Sequence, residues 1–156
     1  MKITYLSTAD IPSRKANSVH IMKMCSAFSE NNHEVILYAP KSEELADNDV
    51  YKFYGVDNKF KIRRIRKSPS RFGDYEYAIK NLLYVIKDKP DLVFSRNLLS
   101  IFFASFSGIP LVLEIHQPIS NNSRLQAKFF KLLIRLKTFK LLVVITNPLK
   151  EIYLNE

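Results

Sequence analysis

The chain has 156 residues, 24 of them Lys or Arg against 15 Asp or Glu, which gives a formal charge of +9 at pH 7. That length suits one domain able to bury roughly 70% of its unfolded surface; with 47% apolar and 25% charged residues, disordered and collagen-like classes are excluded. A single cysteine, Cys25, excludes an intramolecular disulfide framework and makes a reducing cytoplasm the default location.

Met1-Lys2 leads straight into Ile3–Leu6, too brief for the apolar segment of a signal peptide. Lys2–Ser7 reads as a first strand. Asn17–Asn31 reads as a helix capped by Asn17 or Ser18, with Val19, Met22 and Cys25 on its buried stripe. Glu34–Ala39 is a second strand ended by Pro40, and residues 41–50 form a polar loop with room for one helical turn. Phe60–Arg66 is a strand with imperfect alternation, because Arg64 falls where an apolar residue is expected. Tyr75–Lys87 is a helix stopped before Pro90, and Asp91–Ser95 a strand. Leu98–Ser107 is a helix closed by Gly108, and Leu111–His116 another strand. Asn122–Lys140 reads as one long helix, Leu141–Thr146 as a strand, and Pro148 opens a last helix.

Short, nearly continuous apolar strands alternating with helices imply a single Rossmann-like, doubly wound, mainly parallel sheet covered by helices on both faces. The seventeen uncharged residues from Asn97 to Leu113 approach membrane-spanning length. Gly108 and Pro110 interrupt them, so a buried helix followed by a buried central strand is the expectation.

Ligands of such sheets bind at the carboxyl ends of the strands. After the first strand there is neither G-x-G-x-x-G nor a P-loop, which argues against NAD and ATP sites. The polar segment Ser7–Ser18 feeds a helix N-terminus instead. Asn17 and Ser18 there either cradle an anion on free backbone N–H groups or serve only as a structural cap. On the fifth strand Val112, Glu114 and His116 share one face. A carboxylate in such a strand needs a partner. His116 either meets a sugar hydroxyl, with Glu114 setting its tautomer, or is a satisfied turn residue. Arg96, after the fourth strand, either binds a phosphate or hydroxyl or pairs with Glu114. His20 and His33 look less useful, no Cys/His spacing suits a metal, and no nucleophile elbow is present.

The positive charge is concentrated in two places. Lys59, Lys61, Arg63, Arg64, Arg66, Lys67 and Arg71 attract polyanions or form a solvated face. Arg124, Lys128, Lys131 and Arg135, spaced i, i+4, i+7 and i+11, form a stripe beside Leu125, Phe129, Leu132, Leu136 and Phe139. That composition suits a helix lying on anionic lipid, or a core helix with one solvated basic edge. Nucleic-acid binding is disfavoured, since no aromatic-basic RNA-reading strand is present.

The segment MKITYLSTADIPSRKANSVHIMKMCSAFSENNHEVILYAP resembles the start of a family 4 glycosyltransferase of the GT-B class. DLVFSRNLLS, GIPLVLEIHQP and LLVVITNPLKEIYL resemble three later segments of the same amino-terminal domain, in the same order. The resemblance implies retaining transfer from a nucleotide-sugar to an acceptor, with no metal and no cofactor beyond that co-substrate. It implies that residues 1–156 form the acceptor-side domain, and that a carboxy-terminal donor domain, in cis or as a separate subunit, holds the nucleotide. His116 matches the family histidine that faces the transferred sugar. Asn17 and Ser18 stand where Gly-Gly is usual near the donor phosphates, and Thr146-Asn147 matches the end of the last strand. By itself this half is expected to be inactive or nearly so. The resemblance also implies docking of residues 122–140 on the cytoplasmic face of a membrane. A non-catalytic module for anionic membrane or a partner subunit is the alternative.

Overall fold

The computed structural model describes residues 1–41, 47–119 and 123–154. The strands are β1 (Lys2–Leu6), β2 (Glu34–Pro40), β3 (Lys61–Ile65), β4 (Leu92–Ser95), β5 (Leu111–Ile115) and β6 (Phe139–Val144). The helices are α1 (Ala16–Glu30), α2 (Asp47–Tyr54), α3 (Gly73–Asp88), α4 (Leu98–Ala104), α5 (Arg124–Leu133) and α6 (Asn147–Leu154). All five strand pairings are parallel, in the order β3-β2-β1-β4-β5-β6. Parallel neighbours need crossover connections, and the helices that supply them cover both faces. The Rossmann-like, doubly wound architecture expected from the alternation is the one observed.

Side-chain parity divides the core into two layers. Leu111, Leu113 and Ile115 of β5 pack with Tyr77, Val85, Ile101, Phe130 and Leu133, on the face covered by α3, α4 and α5. Val112, of opposite parity, packs with Ile21, Met22 and Cys25 of α1 and with Tyr5 and Phe94. Each fully buried aliphatic side chain contributes about 1.5–3 kcal/mol. This parity fixes the site, because Glu114 shares Val112's side of β5 and must face α1.

The uncharged run 97–113 divides as expected. Asn97 Oδ1 accepts from Ser100 N at 2.8 Å and caps α4. A 3-10 turn over Ser105–Ser107 then closes on Gly108 at φ 77°, a left-handed position that glycine adopts without strain. β5 follows, buried along its whole length.

Most boundaries shift by one to three residues, and the differences that matter lie at α2, at the cap of α1 and between α5 and β6. The helical turn in the 41–50 loop belongs to α2, which runs on to Tyr54. The cap of α1 is Lys15, not Asn17 or Ser18; both polar side chains are already taken, Ser18 Oγ donating to Asp10 O at 2.9 Å and Asn17 Oδ1 accepting from Arg96. The expected helix 122–140 is α5 alone, ten residues long, and Asn122 lies outside the described residues. Arg135 N and Leu136 N bond back to Leu132 O and Leu133 O, and the chain then enters β6 two residues earlier than predicted. Pairing of Phe139 to Leu111 and Leu141 to Val112 outweighs helix propensity there. Arg64 is tolerated because β3 is an edge strand; its guanidinium donates to the Ile11 carbonyl.

Candidate active site

β1 and β4 are neighbours in the sheet, and the chain winds away from them in opposite directions. The crevice at their carboxyl ends is where ligands of open α/β sheets bind. A cavity of about 420 Å³ lies there, its polar wall formed by Ser7, Thr8, Asn17, Arg96, Glu114 and His116.

Each polar group is aimed by its own element. Ser95 Oγ donates to Leu6 O at 2.9 Å and accepts from Asn97 N at 2.9 Å, tying the β4 exit to β1 and turning Arg96 toward the cavity. Arg96 Nη1 donates to Asn17 Oδ1 at 2.7 Å, and its Nε lies 3.6 Å from Glu114 Oε1. Glu114 is only 3% exposed, so its charge requires partners. They are Arg96, His116 and His20. His116 Nε2 hydrogen-bonds to Glu114 Oε1, and His20 Nε2 lies 3.0 Å from the same oxygen. The two imidazoles meet edge to face with centroids 5.5 Å apart. Beneath them Tyr5 is fully buried; burial first, and the Glu114 charge second, push its phenol well above the usual range, so it stays neutral.

The fold thus brings Asn17, Arg96, Glu114 and His116 together, as their positions after β1, β4 and β5 suggested. Of the two readings of Arg96, the pairing with Glu114 is the one observed, and the side chain also lines the cavity. Ser18 is buried one residue behind Asn17 and does not line it. Thr146 and Asn147 lie apart, in an open depression of about 390 Å³ at the end of β6. Thr146 Oγ1 there accepts from Leu149 N at 3.3 Å, capping the start of α6.

His20 is the residue that sequence reasoning missed. The histidines are far apart along the chain, yet two of the three meet at Glu114. The available signal was helical spacing: His20 is three residues after Asn17 and so shares its helix face. Gln126, near the start of α5, also lines the cavity and carried no signal.

The two basic patches differ in their partners. In the first, Lys59 pairs with Asp57 at 2.9 Å, Lys67 with Asp74 at 2.6 Å, and Arg63 with the half-buried Asp88. In the second, Arg124, Lys128, Lys131 and Arg135 are all exposed, with the first three on α5 and Arg135 in the turn after it. Exposed Leu125 and Leu132 flank them, Phe129 stacks on Phe102 of α4 at 4.4 Å, and Phe106 is 68% exposed nearby in sequence to α4. Among the described residues no helix is long and apolar enough to cross a membrane.

The sheet order and the polar crevice define one Rossmann-like half of a GT-B fold. The model of Glycosyltransferase Family 4 matches residues 18–155, and the chain belongs to that family. No curated protein matches by sequence. Among solved structures, Anabaena Alr3699/HepE in complex with UDP and glucose is similar over 99% of this chain and 41% of its own, with TM-score 0.68 and 13% identity. The lipopolysaccharide outer core galactosyltransferase WaaB in its apo form gives 99% and 42%, TM-score 0.65 and 14% identity. Acinetobacter baumannii MurG gives 93% and 45%, TM-score 0.58 and 13% identity. At such identities the likeness is one of fold, and the chain spans less than half the length of each.

Proposed function

We propose that this chain is the acceptor-side half of a retaining glycosyltransferase, which moves a sugar from a nucleotide-sugar to a glycan, lipid-linked or small-molecule acceptor. The observation that carries this reading is the buried carboxylate of Glu114 at the switch-point cavity with His116 held on it. The hydrogen bond assigns the proton of a neutral His116 to Nε2, which leaves the Nδ1 lone pair to accept from a sugar hydroxyl. Arg96 supplies the fixed positive charge of the cavity wall, and the start of α1 at Asn17 offers partial positive charge to a phosphate, while Ser18, whose N–H bonds to Lys15 O at 2.9 Å, stays behind it. The printed descriptions of HepE with UDP and glucose and of WaaB as a galactosyltransferase support a nucleotide-sugar donor. Transfer needs no metal in this reading. The nucleotide is held mainly by a donor domain in cis or on a partner subunit, with Thr146-Asn147 toward the side where that domain meets this one, and this half alone is inactive. In the protein that carries this domain, His116→Ala should lower kcat about a hundredfold, the scale of losing one preorganised polar contact. Unchanged kinetics would show His116 to be structural.

A second reading concerns location and rests on the outer face of α5. Exposed Arg124, Lys128 and Lys131 beside exposed Leu125 and Leu132 match a surface that rests on anionic lipid, at the cytoplasmic side of a membrane. The ion pairs of Lys59, Arg63 and Lys67 with Asp57, Asp88 and Asp74 weigh against nucleic acid as the partner of the other patch.

A further inference from the structure

The cluster around Glu114 contains more than the transferase reading uses. That reading needs one imidazole, and the fold supplies two on the same carboxylate oxygen. His20 of α1, Glu114 of β5 and His116 just beyond β5 each present a donor atom, and the three atoms lie within 4.8 Å of one another. Ligands held at about 2.1 Å from a single ion lie about 3.0–3.6 Å apart for bond angles of 90–120°. His20 Nε2 and Glu114 Oε1 are already 3.0 Å apart. His116 Nε2 contacts the same oxygen, so the donor atoms of all three residues converge on one point.

We propose that His20, Glu114 and His116 form a binding site for a divalent transition-metal ion of the Zn²⁺ class. Two imidazoles and one carboxylate suit Zn²⁺ and not Mg²⁺, which prefers oxygen ligands and retains its water. His116 and Glu114 line the open cavity, so the fourth position faces water or a ligand oxygen there. Without the ion the imidazoles satisfy the carboxylate through Nε2–H. With it each neutral ring carries its proton on Nδ1 and gives the Nε2 lone pair to the metal, so no proton is lost from either histidine; a bound ion thereby removes the Nδ1 acceptor of His116, and the metal-bound state is distinct from the one that transfers sugar. Arg96 opposes the ion, since its Nε is 3.6 Å from the liganding oxygen and its charge repels a cation. The site is therefore held below its full affinity by a residue that is not a ligand.

The test is calorimetric titration of the untagged, metal-free protein with Zn²⁺, with Mg²⁺ run in parallel. Expected are one saturable Zn²⁺ equivalent per chain, no Mg²⁺ binding, and affinity at least about tenfold weaker in His20→Ala. His33→Gln should bind as the wild type does, because His33 sits at the opposite end of α1. Arg96→Gln keeps all three ligands and should bind at least about tenfold more tightly. That variant decides the matter if circular dichroism shows His20→Ala unfolded: tighter binding supports the site, and unchanged or weaker binding overturns it. Absence of saturable Zn²⁺ binding, or equal loss in His20→Ala and His33→Gln, also overturns it. None of these readings depends on sugar transfer.

Discussion

The Glu114 crevice and the outer face of α5 contain similar groups, cations beside aromatic or imidazole rings, in opposite physical states. In the crevice Arg96 is 18% exposed and Glu114 3%, and both are held by partners at hydrogen-bonding or ion-pair distance. On α5 the cations are exposed and stand in water. Charges of the first kind interact through low dielectric and are little affected by salt; those of the second are screened within about 8–10 Å. A shared charge sign therefore says little about role. The crevice is preorganised for a small polar ligand, whereas α5 offers a surface to a large, diffuse one.

This contrast can be broken from either side. The largest effect is expected at Glu114→Ala, which removes the one anion that Arg96, His20 and His116 share. The loss should be about 3 kcal/mol in unfolding free energy, at the lower end for a broken buried pair because His20, 36% exposed, can turn to water. A lowered urea midpoint at unchanged m-value checks it, and 0.5 M salt should leave the difference in place. On the other side, Lys128→Ala with Lys131→Ala should weaken binding to phosphatidylserine vesicles by about 2 kcal/mol, some thirtyfold, at about 1 kcal/mol per lysine. The urea midpoint of that double variant should correspond to within about 0.5 kcal/mol of wild type. Vesicle binding that ignores both the substitutions and salt would sink the lipid reading of α5.

The smallest effect separates buried polar groups from solvated ones by pH. Burial raises the phenols of Tyr5, Tyr38 and Tyr77 above their ordinary 10.0, and the thiol of Cys25 above its ordinary 9.0. Below those ordinary values the groups are protonated in both states and their contribution to stability is intact. As pH rises past 9 to 10 the unfolded chain ionises first, and stability falls. Tyr77→Phe should cost about 1 kcal/mol at pH 7, through loss of the 2.7 Å bond from Tyr77 Oη to Ser7 O. It should also make the alkaline fall shallower, as equilibrium unfolding between pH 8 and 11 would register.

Much of the crevice was legible in the sequence because its elements have unambiguous periods. β1, β4 and β5 are short apolar runs bounded by turn residues, so Arg96, Glu114 and His116 could be placed at strand ends before any coordinates. Parity put Glu114 and His116 on one side of β5. It could not name the helix on that side, and hence His20 was passed over. At α5 the apolar pattern continues from Phe129 to Val144 without a break. Periodicity does not distinguish a helix that continues from a helix that stops and becomes a strand, and pairing with β5 made that decision. Asn17 lines the crevice, where its amide holds Arg96 instead of capping α1.

The sequence by itself determined a single α/β domain, its six strands, and a polar set at their carboxyl ends, because period and composition act over a few neighbouring residues. Only the tertiary structure decided which cations are held by carboxylates, Arg96 by Glu114 and Arg63 by Asp88, and which stand exposed on α5. It alone decided that His20, 94 residues before Glu114 in the chain, meets the same carboxylate as His116. Such meetings depend on which helix covers which face of the sheet. That is set by the summed burial of the whole core, not by any local run of residues.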